Sequence, residues 1–97
     1  MLKPICVKCR RFYRMQRAGF YFTEGMPKDG THRPQSGAEH DAEWQDYKLW
    51  CGDLWVCQGC GHQLISGTGR QPVREHYHDD FADAKERVGA KVRVNDC

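Results

Sequence analysis

Two Cys-x-x-Cys pairs, Cys6/Cys9 and Cys57/Cys60, constrain this chain more than any other feature of its sequence. Two residues between ligands let both sulfurs of one tight turn point at the same ion. Four thiolates then complete the closed tetrahedral set that structural zinc prefers. Size strengthens this reading. A chain of 97 residues with 39% apolar content is one domain with a thin core, and domains of that size often depend on metal or disulfides. No apolar run is long enough to span a membrane, and the first ten residues lack the apolar stretch of a secretory leader. The expected compartment is therefore the cytoplasm, where reducing conditions favour metal ligation over disulfides. Unconnected redox or free thiols are the plain alternative, which the duplicated spacing weighs against. A saturated four-cysteine site leaves no open coordination position, so one structural zinc and no enzymatic activity are expected.

Each pair adjoins a β-compatible stretch. Arg11–Arg17 and Phe20–Thr23 read as strands joined by a turn at Ala18-Gly19. Tyr47–Cys51 and Leu54–Cys57 read as a second hairpin turning at Gly52-Asp53. His62–Ser66 leaves the second pair as a third strand. Residues 25–43, rich in Pro, Gly and Ser, are expected to form a mobile loop within a single domain spanning 1–97. Phe81, Ala84 and Val88 recur at helical spacing, with Asp79 or Asp80 as N-cap, Gly89 past the end and Asp83/Arg87 outside. Lys91–Val94 then alternates as an edge strand. The fold class is a small, β-rich α+β domain with one C-terminal helix.

At the cysteine pairs the chain resembles the zinc-ribbon group, in which two knuckles on two hairpins close around one metal. Cys57-Gln-Gly-Cys60-Gly61 carries the glycine that follows a knuckle; Cys6-Val-Lys-Cys9-Arg10 does not. The 47 residues between Cys9 and Cys57 exceed the common spacing, which the 25–43 segment accounts for. The whole chain is similar to small uncharacterised proteins of phages and prophages, which implies the cytoplasm of a host bacterium and supplies no activity.

Charge is unevenly distributed. Met1–Thr23 holds six basic residues and no acid, although the net formal charge is only +2. A zinc tetrathiolate adds about −2, bringing the holo-protein close to neutral with a basic N-terminal region. Arg10, Arg11, Arg14 and Arg17 with Tyr13 and Phe12 form a candidate nucleic-acid surface, since guanidinium groups meet phosphates and aromatic faces stack on bases. Alternating strand residues offer the plain reading, aromatics inward and arginines in solvent. Trp44 and Trp50 are candidate protein-binding residues, because tryptophan is enriched at interface hot spots; packing around the ribbon is the plain reading. The leading expectation is a binding module acting on a host protein as adaptor or inhibitor, with nucleic-acid binding as the alternative. Glu75–Asp80, containing His76 and His78, looks like a second metal or acid–base site, but acids before a helix serve equally as caps. The chain lacks the motif of a His-Asn-His nuclease. Cys51 reads as a small buried hydrophobe and the terminal Cys97 as a free thiol.

Overall fold

The structure is a computed structural model that describes residues 3–30, 34 and 38–95. Its spine is one long antiparallel hairpin of β2 (Arg11–Pro27) and β3 (Trp44–Cys57), in register from Tyr13↔Cys57 to Pro27↔Trp44. A short β1 (Ile5–Cys6) pairs with the start of β2, and β4 (Gln63–Ser66) pairs with the end of β3. At the opposite end of the spine, β5 (Arg74–Glu75) flanks β3 and β6 (Arg93–Asn95) runs parallel to β2. The helix α1 (Phe81–Val88) lies between β5 and β6 in sequence. The result is a small, strand-rich, mostly antiparallel sheet with one short helix. Its radius of gyration is 14.9 Å, against about 12.5 Å for a compact chain of this length. No helix among the described residues is long and apolar enough to cross a membrane.

The two expected hairpins are in fact one, and neither expected turn is a turn. Ala18-Gly19 occupies a bulge in β2 between the pairs Arg17↔Leu54 and Phe20↔Gly52. Gly19 adopts φ +66°, and its N–H donates to Asp53 Oδ1 at 3.2 Å across the ribbon. A left-handed glycine serves a bulge as readily as a turn. Gly52 has a different role: a Cβ there would lie 3.1 Å from Ile65 Cγ2 and 3.2 Å from Thr68 Cγ2, so the strand needs a bare backbone where the following segment packs closely. The two dipeptides face each other and leave both strands continuous. Within the expected loop, residues 25–27 extend β2 and Ala38–Glu43 form a 3-10 helix; residues 31–33 and 35–37 lie outside the described set.

An elongated ribbon cannot gather its apolar residues into one core, and among the described residues two clusters form. One comprises Cys6, Tyr13, Trp55 and Cys57, with Cys9, Met15 and Leu64 against it. The other comprises Leu49, Phe81 and Ala84, with Tyr21, Val88 and Ala90. Helix α1 therefore presents Phe81 and Ala84 to the sheet, as their spacing predicts. Gly89 ends it with φ +67°, its N–H donating to the Glu86 carbonyl. The start differs from expectation. Asp80 makes no side-chain cap; its carboxylate accepts from Arg74 Nε at 3.2 and 3.1 Å, a salt bridge that competes with capping.

Candidate metal centre

The four cysteines predicted as ligands come together across the 47 residues that separate the two pairs in the chain. β1 delivers Cys6 to the turn carrying Cys9, and β3 delivers Cys57 to the turn carrying Cys60, while the β2–β3 register brings the two turns side by side. Their sulfurs all lie within 4.8 Å of one another. A tetrahedron with Zn–S bonds of about 2.3 Å has sulfur–sulfur edges of about 3.8 Å, so the cluster matches one ion with small adjustments. Cys6 and Cys57 are buried and Cys60 is exposed, which leaves a side for metal entry. An all-sulfur set suits zinc or iron rather than a hard cation.

The two turns share one backbone design. Arg10 N–H donates to the Cys6 carbonyl at 2.7 Å, and Gly61 N–H donates to the Cys57 carbonyl at 3.0 Å. The residue after each pair is left-handed, φ +78° at Gly61 and +55° at Arg10. Arginine thus occupies a conformation that favours glycine, which is how the first turn forms without the expected residue. Gly59 N–H donates to Cys57 Sγ at 3.3 Å. A Cβ on Gly59 would stand 2.9 Å from Cys9 Sγ, so this glycine admits the ligand of the opposing turn.

Crowded together, the thiols perturb one another. Amides of Cys60 and Gly59 directed at Cys57 hold its thiol down to about 6, well below the ordinary 9.0. Cys9, hydrogen-bonded first to Cys57 and then to Cys60, is pushed up to about 12. One sulfur readily carries negative charge while a neighbour resists it; a divalent ion removes that conflict.

Three residues around the ligands escaped the sequence reading. Besides Gly59, these are Tyr13 in a role other than the one expected, and His62. Tyr13 is only 6% exposed, so its ring is not available for base stacking. Its hydroxyl lies 3.0 Å from His62 Nδ1. Burial first, then the hydrogen bond to Cys6 and the charge of Cys6, Cys57 and Cys60, raise its phenol above the ordinary 10.0. It packs behind the sulfurs, where second-sphere hydrogen bonds tune a metal site. The aromatic alternation between Phe12 and Tyr13 is the signal that one of the two must turn inward.

The other candidates separate. Arg10, Arg11, Arg14 and Arg17 are exposed, and no ion pair engages them among the described residues. Trp44 is 1% exposed and Trp55 3%, so Trp44 offers no contact surface, contrary to its candidacy. Trp50 is half-buried and donates from Nε1 to Glu24 Oε1 at 2.9 Å. His76 stacks on Tyr47 with ring centroids 4.4 Å apart, and His78 Nδ1 accepts from the Glu75 N–H at 3.0 Å. Among the described residues they join no cluster of metal-binding side chains. Cys51 is half-buried in β3 opposite Tyr21 and apart from the four-cysteine group; Cys97 lies outside the described residues.

No protein-family model, curated protein or solved structure matches this chain, so the resemblance to phage and prophage proteins has no relative behind it. What the chain itself provides is a four-cysteine cluster able to hold one metal ion, compatible with a zinc ribbon.

Proposed function

We propose that this chain is a non-enzymatic module in which one zinc ion pins two knuckles together and the basic end around them binds nucleic acid. The carrying observation is the division of side chains at that end. Phe12 is 55% exposed, and Arg10, Arg11, Arg14 and Arg17 reach solvent without an ionic partner among the described residues. Unpaired guanidinium groups beside an open aromatic face suit phosphates and bases. Tyr13, facing the sulfurs, gives its stacking role to Phe12. The tetrathiolate site contributes about −2, which six nearby basic residues outweigh. With all four zinc positions taken by cysteine, the ion acts on folding rather than on a substrate.

The test combines metal analysis with a salt titration. One zinc per chain is expected, and nucleic-acid affinity that falls steeply with salt. Arg11→Ala combined with Arg14→Ala should flatten the salt slope by about two, one per lost phosphate contact. Failure to retain DNA or RNA at low salt would end the nucleic-acid reading, and folded protein without zinc would end the ribbon.

A protein-directed adaptor or inhibitor, with a bacterial host protein as partner if the phage resemblance holds, keeps one specific support. Trp50 borders a cavity of about 410 Å³ with Phe22, Glu24 and Val94. This reading predicts that Trp50→Ala abolishes capture of a protein partner while the salt-dependent binding of nucleic acid is absent from the start.

A further inference from the structure

We infer that the nucleic acid is taken as a single strand, with one unpaired base set into the cavity beside Phe12. This rests on the nucleic-acid reading above and narrows it. The cavity measures about 460 Å³ and is lined by Phe12, Met15, Trp55, Lys3, Arg14 and Gln58, together with Tyr13. That size lies in the range of about 300–1,000 Å³ typical of small-ligand sites. Its walls are apolar and aromatic, whereas Lys3 and Arg14 place positive charge at its margin. The exposed Phe12 supplies the stacking face, the buried Trp55 and Tyr13 form the floor, and the half-buried Met15 is adaptable enough to follow the shape of whichever base enters.

The wall is held rather than loose. Gln58 Nε2 donates to the Phe12 carbonyl at 2.9 Å, tying the second cysteine turn to β2 at the residue that would stack. Met15 pairs with Trp55, and Arg14 with Val56, in the β2–β3 register. The same metal that closes the turns thereby fixes the cavity. A duplex offers phosphates to the arginines but keeps its bases stacked on one another, so an aromatic hollow between the charges gains nothing from it. An unpaired strand presents a π-face and a phosphate together, which is what the hollow and its margin complement. The charge sign also separates a nucleic acid from an apolar peptide, which would leave the arginines unused.

Fluorescence anisotropy with zinc-loaded full-length protein tests this. The probes are a labelled thymidine single strand of about 12 nucleotides, the same strand made abasic, a duplex of equal length, and polyglutamate as competitor. The intact strand should bind about tenfold more tightly than the abasic strand or the duplex. Phe12→Ala should remove that difference while keeping the zinc content and the salt slope, since it touches no phosphate. Equal binding of intact and abasic strands, or of single strand and duplex, with a normal salt slope would overturn the base pocket and leave the nucleic-acid reading standing. Absence of binding to all three at low salt would overturn both. Competition by polyglutamate as strong as by the intact strand would replace the base with an acidic protein segment.

Discussion

The same two strands run through both ends of this molecule, yet the ends are closed by different chemistry. At the helix end, α1 lays Phe81 and Ala84 over Leu49, which has no solvent exposure. Asp46 ties that end together, accepting from Lys85 Nζ at 2.5 Å, Arg93 Nε at 2.8 Å and Thr23 Oγ1 at 3.1 Å. At the cysteine end no helix among the described residues covers the sheet. Two of the four buried residues there are cysteines, while Ile5, Val7 and Phe12 remain in water. Where a sheet lacks a second layer, metal–ligand bonds to the four cysteines would supply the closure that apolar burial provides elsewhere. Both ends leave apolar side chains in water, Val73, Tyr77, Val92 and Val94 at the helix end, but only at the cysteine end do they stand beside a run of basic residues with no acid among them.

Removing the metal is the strongest way to break the contrast. Cys57→Ser, or chelation of the wild-type protein, should abolish metal binding and strip exchange protection from β1, β4 and the start of β2. Amides of α1 and the middle of β3 should stay protected, and Cys51→Ser should keep its metal. Hydrogen exchange read by mass spectrometry checks this; equal loss at both ends would show one cooperative unit instead of two.

The converse perturbation is Leu49→Ala, expected to cost about 3 kcal/mol through the cavity it leaves. Denaturation in excess zinc should report that loss while metal analysis still finds one ion per chain. Loss of the metal as well would mean that the helix end holds the site in shape.

Asp46→Asn should cost about 1–2 kcal/mol, toward the lower end because 23% of its side-chain surface meets water and screens the pair. Burial alone would raise this carboxyl, but the hydrogen bonds and charges of Lys85 and Arg93 outweigh it and leave the group below its ordinary 3.8. A lowered folded value means that the stabilisation is complete above the ordinary value and fades as pH falls through the folded one. Denaturant midpoints of wild type and variant should therefore converge in acid below about pH 4 and differ at neutral pH. A constant difference across that range would remove the charge from the account.

Tyr13→Phe probes the metal end more gently, removing one hydroxyl behind the sulfurs. Zinc affinity, measured by competition with a chelator, should fall about tenfold with the fold intact. An unchanged affinity would reduce Tyr13 to a packing residue. The smallest effect should come from the turn asymmetry. Arg10→Gly relieves a left-handed arginine, worth roughly 1–2 kcal/mol, against roughly 0.5–1 kcal/mol of added freedom in the unfolded chain. A gain of a few tenths of a kcal/mol in thermal or denaturant stability is expected; a loss would mean that the Arg10 side chain makes a contact that matters.

The ligand set was legible from spacing alone, because Cys-x-x-Cys is a local geometry: four atoms on two tight turns whose chemistry does not depend on what lies between. The helix over Phe81–Val88 and its Gly89 terminus were legible for the same reason, since periodicity and a left-handed glycine act within a few residues. An edge strand was readable over Lys91–Val94 and lies at Arg93–Asn95, but its parallel pairing with β2 was not readable. Gly19 and Gly52 show where local signals end. Both carry turn chemistry in the sequence, and the turns vanish because each glycine meets its partner across the ribbon, one in a bulge and one under Ile65. Alternation likewise announces that either Phe12 or Tyr13 faces inward without saying which, and the burial of Trp44 depends on tertiary packing around it. The sequence by itself determined which atoms can hold a metal. Only the tertiary structure decided that one continuous pair of strands carries both cysteine turns, that Tyr13 turns toward the sulfurs, and that Phe12 and the arginines are left in water. These outcomes depend on strand register, which sums weak contacts over the length of β2 and β3 and is written in no single stretch of residues.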